Sequence, residues 1–269
     1  MTSVSNRRTV FLNEMDLGPQ WVSIKAAPAA PESAEQTSIP QATTVAAIST
    51  PPSAWSTEPA ELVSAAGAAS APEIRDMDWT QLRSTVATCT KCGLCKGRTK
   101  TVFGVGDMKA KWLFIGEGPG RNEDLQGEPF VGPAGKLLDS MLSAMGLKRG
   151  ENAYITNIVK CRPTDADGRD RPPTQEEANA CKPYLERQIA LIQPSIIVAL
   201  GKTAALSLLG LEQDVAVAKL RGTVHRYANL PLIVTYHPAY LLRKLTDKGK
   251  TWSDLCLAMD TYANSDNTQ

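Results

Sequence analysis

From Trp112 to Tyr262, short apolar runs alternate with stretches whose apolar residues recur at helical spacing, and few folds accept that alternation. Trp112–Gly116 (WLFIG), Tyr154–Val159, Ser195–Leu200 (SIIVAL) and Leu232–Tyr236 read as strands. Between them, Pro133–Met145 sets Leu137, Leu138, Met141, Leu142 and Met145 at helical spacing, with Pro133 where a helix starts. Thr174-Gln-Glu-Glu177 has the pattern of a capping box opening the next helix, and Lys202–Leu209 and Thr251–Tyr262 read as further helices. The expected fold is therefore α/β, a three-layer αβα sandwich around a mostly parallel four-stranded sheet. Sites in such folds lie beyond the carboxyl ends of the strands. That directs attention to Gly116–Gly120, Asn157 and His237.

Composition divides the chain of 269 residues into three parts. Residues 76–264 are expected to form the folded domain. Before it, the 47 residues from Ala26 to Pro72 include 15 Ala, 7 Pro and 12 Ser or Thr, with no Lys or Arg. Such a stretch lacks the aromatic and branched side chains needed to offset the entropy lost on folding, so residues 26–75 read as a disordered tether. Residues 1–25 read as a short peptide in which Phe11, Leu12, Met15 and Leu17 share a helical face, with Gly18-Pro19 as a stop. Residues 7–21 are either a docking element for an unknown protein partner or a piece that folds back on its own domain. No apolar run approaches the roughly 20 residues of a membrane helix, and no secretory pattern is visible, so a cytoplasmic location is expected. Residues 76–269 carry 25 basic and 21 acidic side chains, a balance that permits a nucleic-acid partner without requiring one.

Cys89, Cys92 and Cys95 form C-x2-C-x2-C, and Cys161 and Cys181 follow later. Disulfides are disfavoured in a chain without an export signal, so metal is the better account of three cysteines within seven residues. A set of four thiolates suits Zn²⁺ or an iron–sulfur cluster, and spacing alone leaves both open. Cys256, inside an apolar helix, reads as a small buried hydrophobe.

Gly116-Glu117-Gly118-Pro119-Gly120 follows a strand but is not a dinucleotide loop. Arg121 stands where the third glycine belongs, Pro119 lacks a backbone donor, and Glu117 would repel pyrophosphate. In order along the chain stand CTKC at 89–92, GRT at 97–99, FGVG at 103–106, GEGPGRNED at 116–124, GEPFVGPAGKLLD at 127–139, ITNIVKCRP at 155–163, IIVALG at 196–201 and YHPAYLLR at 236–243. Together, over about residues 82–262, these motifs resemble family 4 uracil-DNA glycosylases, the iron–sulfur members of the uracil-DNA glycosylase superfamily.

The resemblance implies a uracil-DNA glycosylase-like fold and a [4Fe–4S] cluster held by Cys89, Cys92, Cys161 and Cys181, with Cys95 outside the family's usual set. It implies a monofunctional glycosylase acting on uracil in single- or double-stranded DNA and hence a nucleoid-associated enzyme. Phe130 would stack on the flipped base and Asn157 would read its Watson–Crick edge. Gly116 and Gly118 would line the pocket, His237 would donate to uracil O2, and Glu117 would position water or stabilise the sugar cation. Leu241, Leu242 and Arg243 would contact DNA, a leucine filling the gap left by the base and Arg243 reaching phosphate. Arg98, Lys100, Lys160, Arg162, Arg169 and Arg171, around the proposed ligands, are expected to face phosphates too. The alternative is a non-catalytic DNA-damage-binding module that recruits repair partners.

Overall fold

A computed structural model of the chain describes residues 73–211 and 215–266, so the terminal peptide and nearly all of the tether lie outside the described residues. A sheet with strand order β1-β3-β2-β4-β6-β5 forms the centre of the described part. Its strands are β1 (Val105–Gly106), β2 (Trp112–Gly116), β3 (Ala153–Asn157), β4 (Ile196–Leu200), β5 (Val224–Tyr227) and β6 (Leu230–Thr235). The four central strands are parallel, as expected. Two antiparallel strands extend the sheet, β1 on β3 and β5 on β6. Neither was legible beforehand. β1 has two residues, and the turn between β5 and β6 uses Ala228 and Asn229 at positive φ where an Asn-Gly pair would have signalled a hairpin.

β2, β3 and β4 are buried along their whole length, because helices cover both faces of the sheet. Leu113, Ile115, Ile197, Ala199, Leu232 and Val234 point to one face and pack against α1 (Trp79–Ala87), α4 (Gln175–Ile192) and α5 (Lys202–Leu209). Trp112, Phe114, Ile196, Val198 and Ile233 point to the other, against α3 (Pro133–Ala144) and α8 (Lys248–Asp266). The alternation of side chains along each strand thus builds two cores and three layers. Three short α-helices, α2 (Arg121–Gln126), α6 (Val217–Leu220) and α7 (Pro238–Leu241), and three 3-10 turns complete the described part. No helix among the described residues is long and apolar enough to cross a membrane.

Local signals set the helix starts. Asp78 and Gln81 form a reciprocal capping box on α1, and Thr174 and Glu177 form the one expected on α4. Glu177 also ion-pairs with Arg171, which ties the start of α4 to the loop before it. Thr174→Ala removes the acceptor of the Glu177 N–H, and we expect it to lower stability by about 1 kcal/mol. Urea denaturation with an unchanged slope would show this.

Candidate active site

The loops after β2, β3 and β6 enclose a cavity of about 540 Å³ whose lining includes Glu117, Gly118, Phe130, Asn157, His237 and Arg243. Parallel pairing sets Gly116 opposite Asn157 at the ends of β2 and β3. A Cβ at Gly116 would lie 2.4 Å from Asn157 Oδ1 and 2.6 Å from Phe130 Cζ, so glycine there is a condition for the pocket.

Asn157 is 2% exposed, and its Oδ1 has no hydrogen-bond partner among the described residues. A buried carbonyl left unpaired costs about 1–3 kcal/mol, so an orphan of this kind at a pocket calls for a ligand donor. Phe130 has φ +55°, a left-handed conformation unfavourable for a bulky residue. Arg149 holds that conformation in place. Its guanidinium donates to the Pro129 carbonyl at 3.0 Å and the Phe130 carbonyl at 2.8 Å, and is itself anchored on Asp139 at 2.9 Å. Gly135 leaves room for the same carbonyl, since a Cβ there would lie 1.7 Å from Phe130 O.

His237 caps α7, its Nδ1 accepting from the Ala239 N–H at 3.1 Å. The remaining ring proton of the neutral imidazole is therefore on Nε2. Its ring lies 5.5 Å from the Phe130 ring, tilted by 30°. The ring is part-exposed by surface area, yet protein surrounds it closely. Burial first, and the charge of Arg243 second, push its pKa down to about 4, against a smaller opposing effect of Glu123. Gly201, at φ +94°, lets the turn after β4 approach the imidazole, where a Cβ would sit 2.8 Å from His237 Cβ.

Glu117 accepts a hydrogen bond from the Thr203 hydroxyl on α5, which fixes one carboxylate oxygen. The neighbouring acids are occupied elsewhere. Glu123 Oε1 accepts from the Val131 and Gly132 N–H groups, both at 3.0 Å, and Asp124 accepts from Thr99 N–H at 2.9 Å. Thr203 and Arg149 were not foreseen from sequence. Each acts on a partner far along the chain, and neither sits in a pattern that marks it.

Two expectations are corrected. Leu241 has no exposed surface and packs in the core beside α3 and α8, so it has no access to DNA. Leu242 is 43% exposed, and Arg243 stands exposed at the pocket mouth. Among the cations near the cysteines, Lys160 is buried and cannot face phosphate, whereas Lys100 and Arg169 are exposed. Lys160 is 1% exposed, Arg162 pairs with Asp170 at 2.5 Å, Arg169 with Asp167 at 3.4 Å, and Arg171 with Glu177 at 2.7 Å.

Cys89, Cys92, Cys161 and Cys181 line a second, smaller cavity between α1 and α4; the lining does not include Cys95. Arg98 donates to Cys161 Sγ at 3.2 Å, the Lys160 N–H to Cys181 Sγ at 3.3 Å, and the Lys91 N–H to Cys89 Sγ at 3.5 Å. Burial pushes Cys181 up to about 11 and raises Cys161 and Cys92, which disfavours their ionised forms. Among the described residues no three Cys, His, Asp or Glu side chains converge to hold a single ion. Four sulfurs around one cavity, with N–H donors aimed at three of them, are a donor set that fits a thiolate-bound cluster. Cys256 is part-buried against the core on the α3 and α8 side.

Residues 103–256 match the model of the uracil DNA glycosylase superfamily. A type-4 uracil-DNA glycosylase of Archaeoglobus fulgidus is 45% identical over 163 residues, covering 58% of this chain and 79% of the relative. One from Pyrobaculum aerophilum is 40% identical over 187 residues, covering 67% and 93%. One from Sulfurisphaera tokodaii is 45% identical over 170 residues, covering 60% and 74%.

The depressed imidazole carries a testable sign. Between about pH 6.5 and 4 the unfolded chain binds a proton at His237 that the folded chain refuses. The contribution of this residue to stability is therefore complete above pH 6.5 and declines as the pH falls toward 4. The chain has two histidines, and in an NMR titration the His237 ring signals should stay fixed from pH 8 to 5.5 and move only near pH 4.

Proposed function

The chain belongs to the uracil DNA glycosylase superfamily, and on its type-4 branch we propose that it hydrolyses the N-glycosidic bond of uracil flipped out of DNA, opening base-excision repair. The observation that carries the site assignment is the unpartnered Asn157 oxygen, buried in a pocket that also holds an aromatic ring and a neutral imidazole.

Flipping costs a few kcal/mol of stacking and pairing, which the pocket must return. Phe130 offers its ring to the base. Asn157 Oδ1 accepts from uracil N3–H, and its NH₂ donates to O4. Cytosine presents the reverse order and leaves both groups mispaired, which is costly in a dry pocket.

As the C1′–N1 bond lengthens, negative charge collects on uracil O2 and the sugar becomes cation-like. His237 donates Nε2–H to that oxygen, and because it is neutral it stabilises the anion without transferring its proton. Glu117, oriented by Thr203, is placed to stabilise the sugar cation or hold the attacking water. Leu242 fills the gap left by the base, as apolar wedges do in kinked DNA, while Arg243 reaches phosphate. Cys89, Cys92, Cys161 and Cys181 are the residues that would hold a [4Fe–4S] cluster. When bound, that group supplies a covalent tie among loops rather than electrons for the hydrolysis.

The first test is a labelled oligonucleotide with one uracil opposite guanine, incubated with protein and then treated with alkali. We expect cleavage at the uracil, slowed on the order of 10²–10³-fold in His237→Ala. Tight binding with no cleavage would instead indicate a recruiting module. Cys161→Ala should lose iron, DNA affinity and thermal stability together. An iron-free variant with full stability and normal binding would sink the structural role of the cluster.

A further inference from the structure

Lys160 has no part in the chemistry above, yet it stands between the two sites. Its side chain is 1% exposed and lines the cysteine cavity. Its ammonium donates to Thr156 Oγ1 at 2.6 Å and to the Asn157 carbonyl at 2.8 Å, both at the carboxyl end of β3. Its main-chain N–H donates to Cys181 Sγ at 3.3 Å, and its carbonyl accepts from Val102 N–H at 2.8 Å. One residue thus touches a cysteine with its backbone and the base-reading strand end with its side chain.

A buried ammonium is stable only when its N–H groups are bonded and its charge is met. Thr156 and Asn157 supply two neutral acceptors, and among the described residues no carboxylate forms an ion pair with it. The same residue lines the cavity of the four thiols. The thiolates of an iron-loaded site supply negative charge there.

We propose that Lys160 is a positioning residue that couples the four-cysteine site to uracil recognition by fixing the main chain of Asn157. The proposal rests on the glycosylase reading. Charge on the cysteine side keeps the ammonium in place, and the ammonium keeps the Asn157 peptide where its side chain meets the base across Gly116. The cysteine site then has a second effect besides tying loops together. It sets how sharply the pocket prefers uracil.

Lys160→Met keeps the length of the side chain and the N–H toward Cys181 but removes the ammonium. Parent and variant are titrated with two fluorescent oligonucleotides, one carrying a uracil nucleotide made uncleavable by 2′-fluorination, the other a tetrahydrofuran abasic residue at the same place. Iron content and visible absorbance are measured alongside. We expect Lys160→Met to keep its iron and its abasic-site affinity but to lose on the order of tenfold in affinity for the uracil oligonucleotide, a hydrogen bond from a charged donor having gone. Lys160→Gln, whose amide still reaches toward the Asn157 carbonyl, should recover part of that loss. An iron-loaded Lys160→Met with the parent's uracil preference would overturn the coupling. Loss of iron in both variants would also overturn it, by assigning Lys160 to the cysteine site alone. A parent protein without uracil preference would fail the glycosylase reading itself, a result distinct from either.

Discussion

The site depends on the parallel register between β2 and β3, which sets Gly116 directly against Asn157. Side chains alternate faces along a strand, so a slip of one residue would turn Asn157 away and bring Thr156 or Ile158 to the pocket. The same sheet pairs Leu200 with Thr235, and Gly201 continues from that pair to lie against His237. Two glycines at two strand ends therefore let a buried amide and an imidazole share one cavity. Neither could tolerate a methyl group without displacing Asn157 and Phe130 at the first or His237 at the second.

Around this frame, three arginines hold loops in place. Arg149 clamps two carbonyls beneath Phe130, Arg98 joins the Cys89 carbonyl to Cys161, and Arg171 links the Thr164 carbonyl to Glu177. Such hydrogen bonds, several to charged partners, are stronger than neutral ones and hold a loop at several points at once. Exposed positive charge remains at the pocket mouth on Arg243, with Lys244 beside it. The bonded arginines fix the loops that line the pocket.

The parallel core was legible because its strands are mostly apolar and end at or just before glycine or polar residues. The helix starts were legible where a capping box or a proline marked them. Glu117, Phe130, Asn157 and His237 were singled out from strand-end positions and motif resemblance, and they do line one cavity. The edge strands escaped notice because β1 has two residues and the turn into β6 from β5 uses Ala228 and Asn229. Leu241 and Leu242 are adjacent apolar residues on one short helical turn, and only packing tells the buried one from the exposed one. Lys160 looked like a surface cation because lysine is rarely buried. Its interior position follows from acceptors at Thr156 and Asn157, which a pattern of residue types does not reveal.

The thiol cavity draws on distant parts of the chain. Cys89 and Cys92 precede β1, Cys161 follows β3, and Cys181 lies on α4. Contacts of such long sequence separation form after local ones, because the intervening loop must be closed first. The four sulfurs meet only when β3 has joined the sheet and α4 has docked on it. Any group held by all four sulfurs would therefore be bound only once β3, the strand carrying Asn157, is in place.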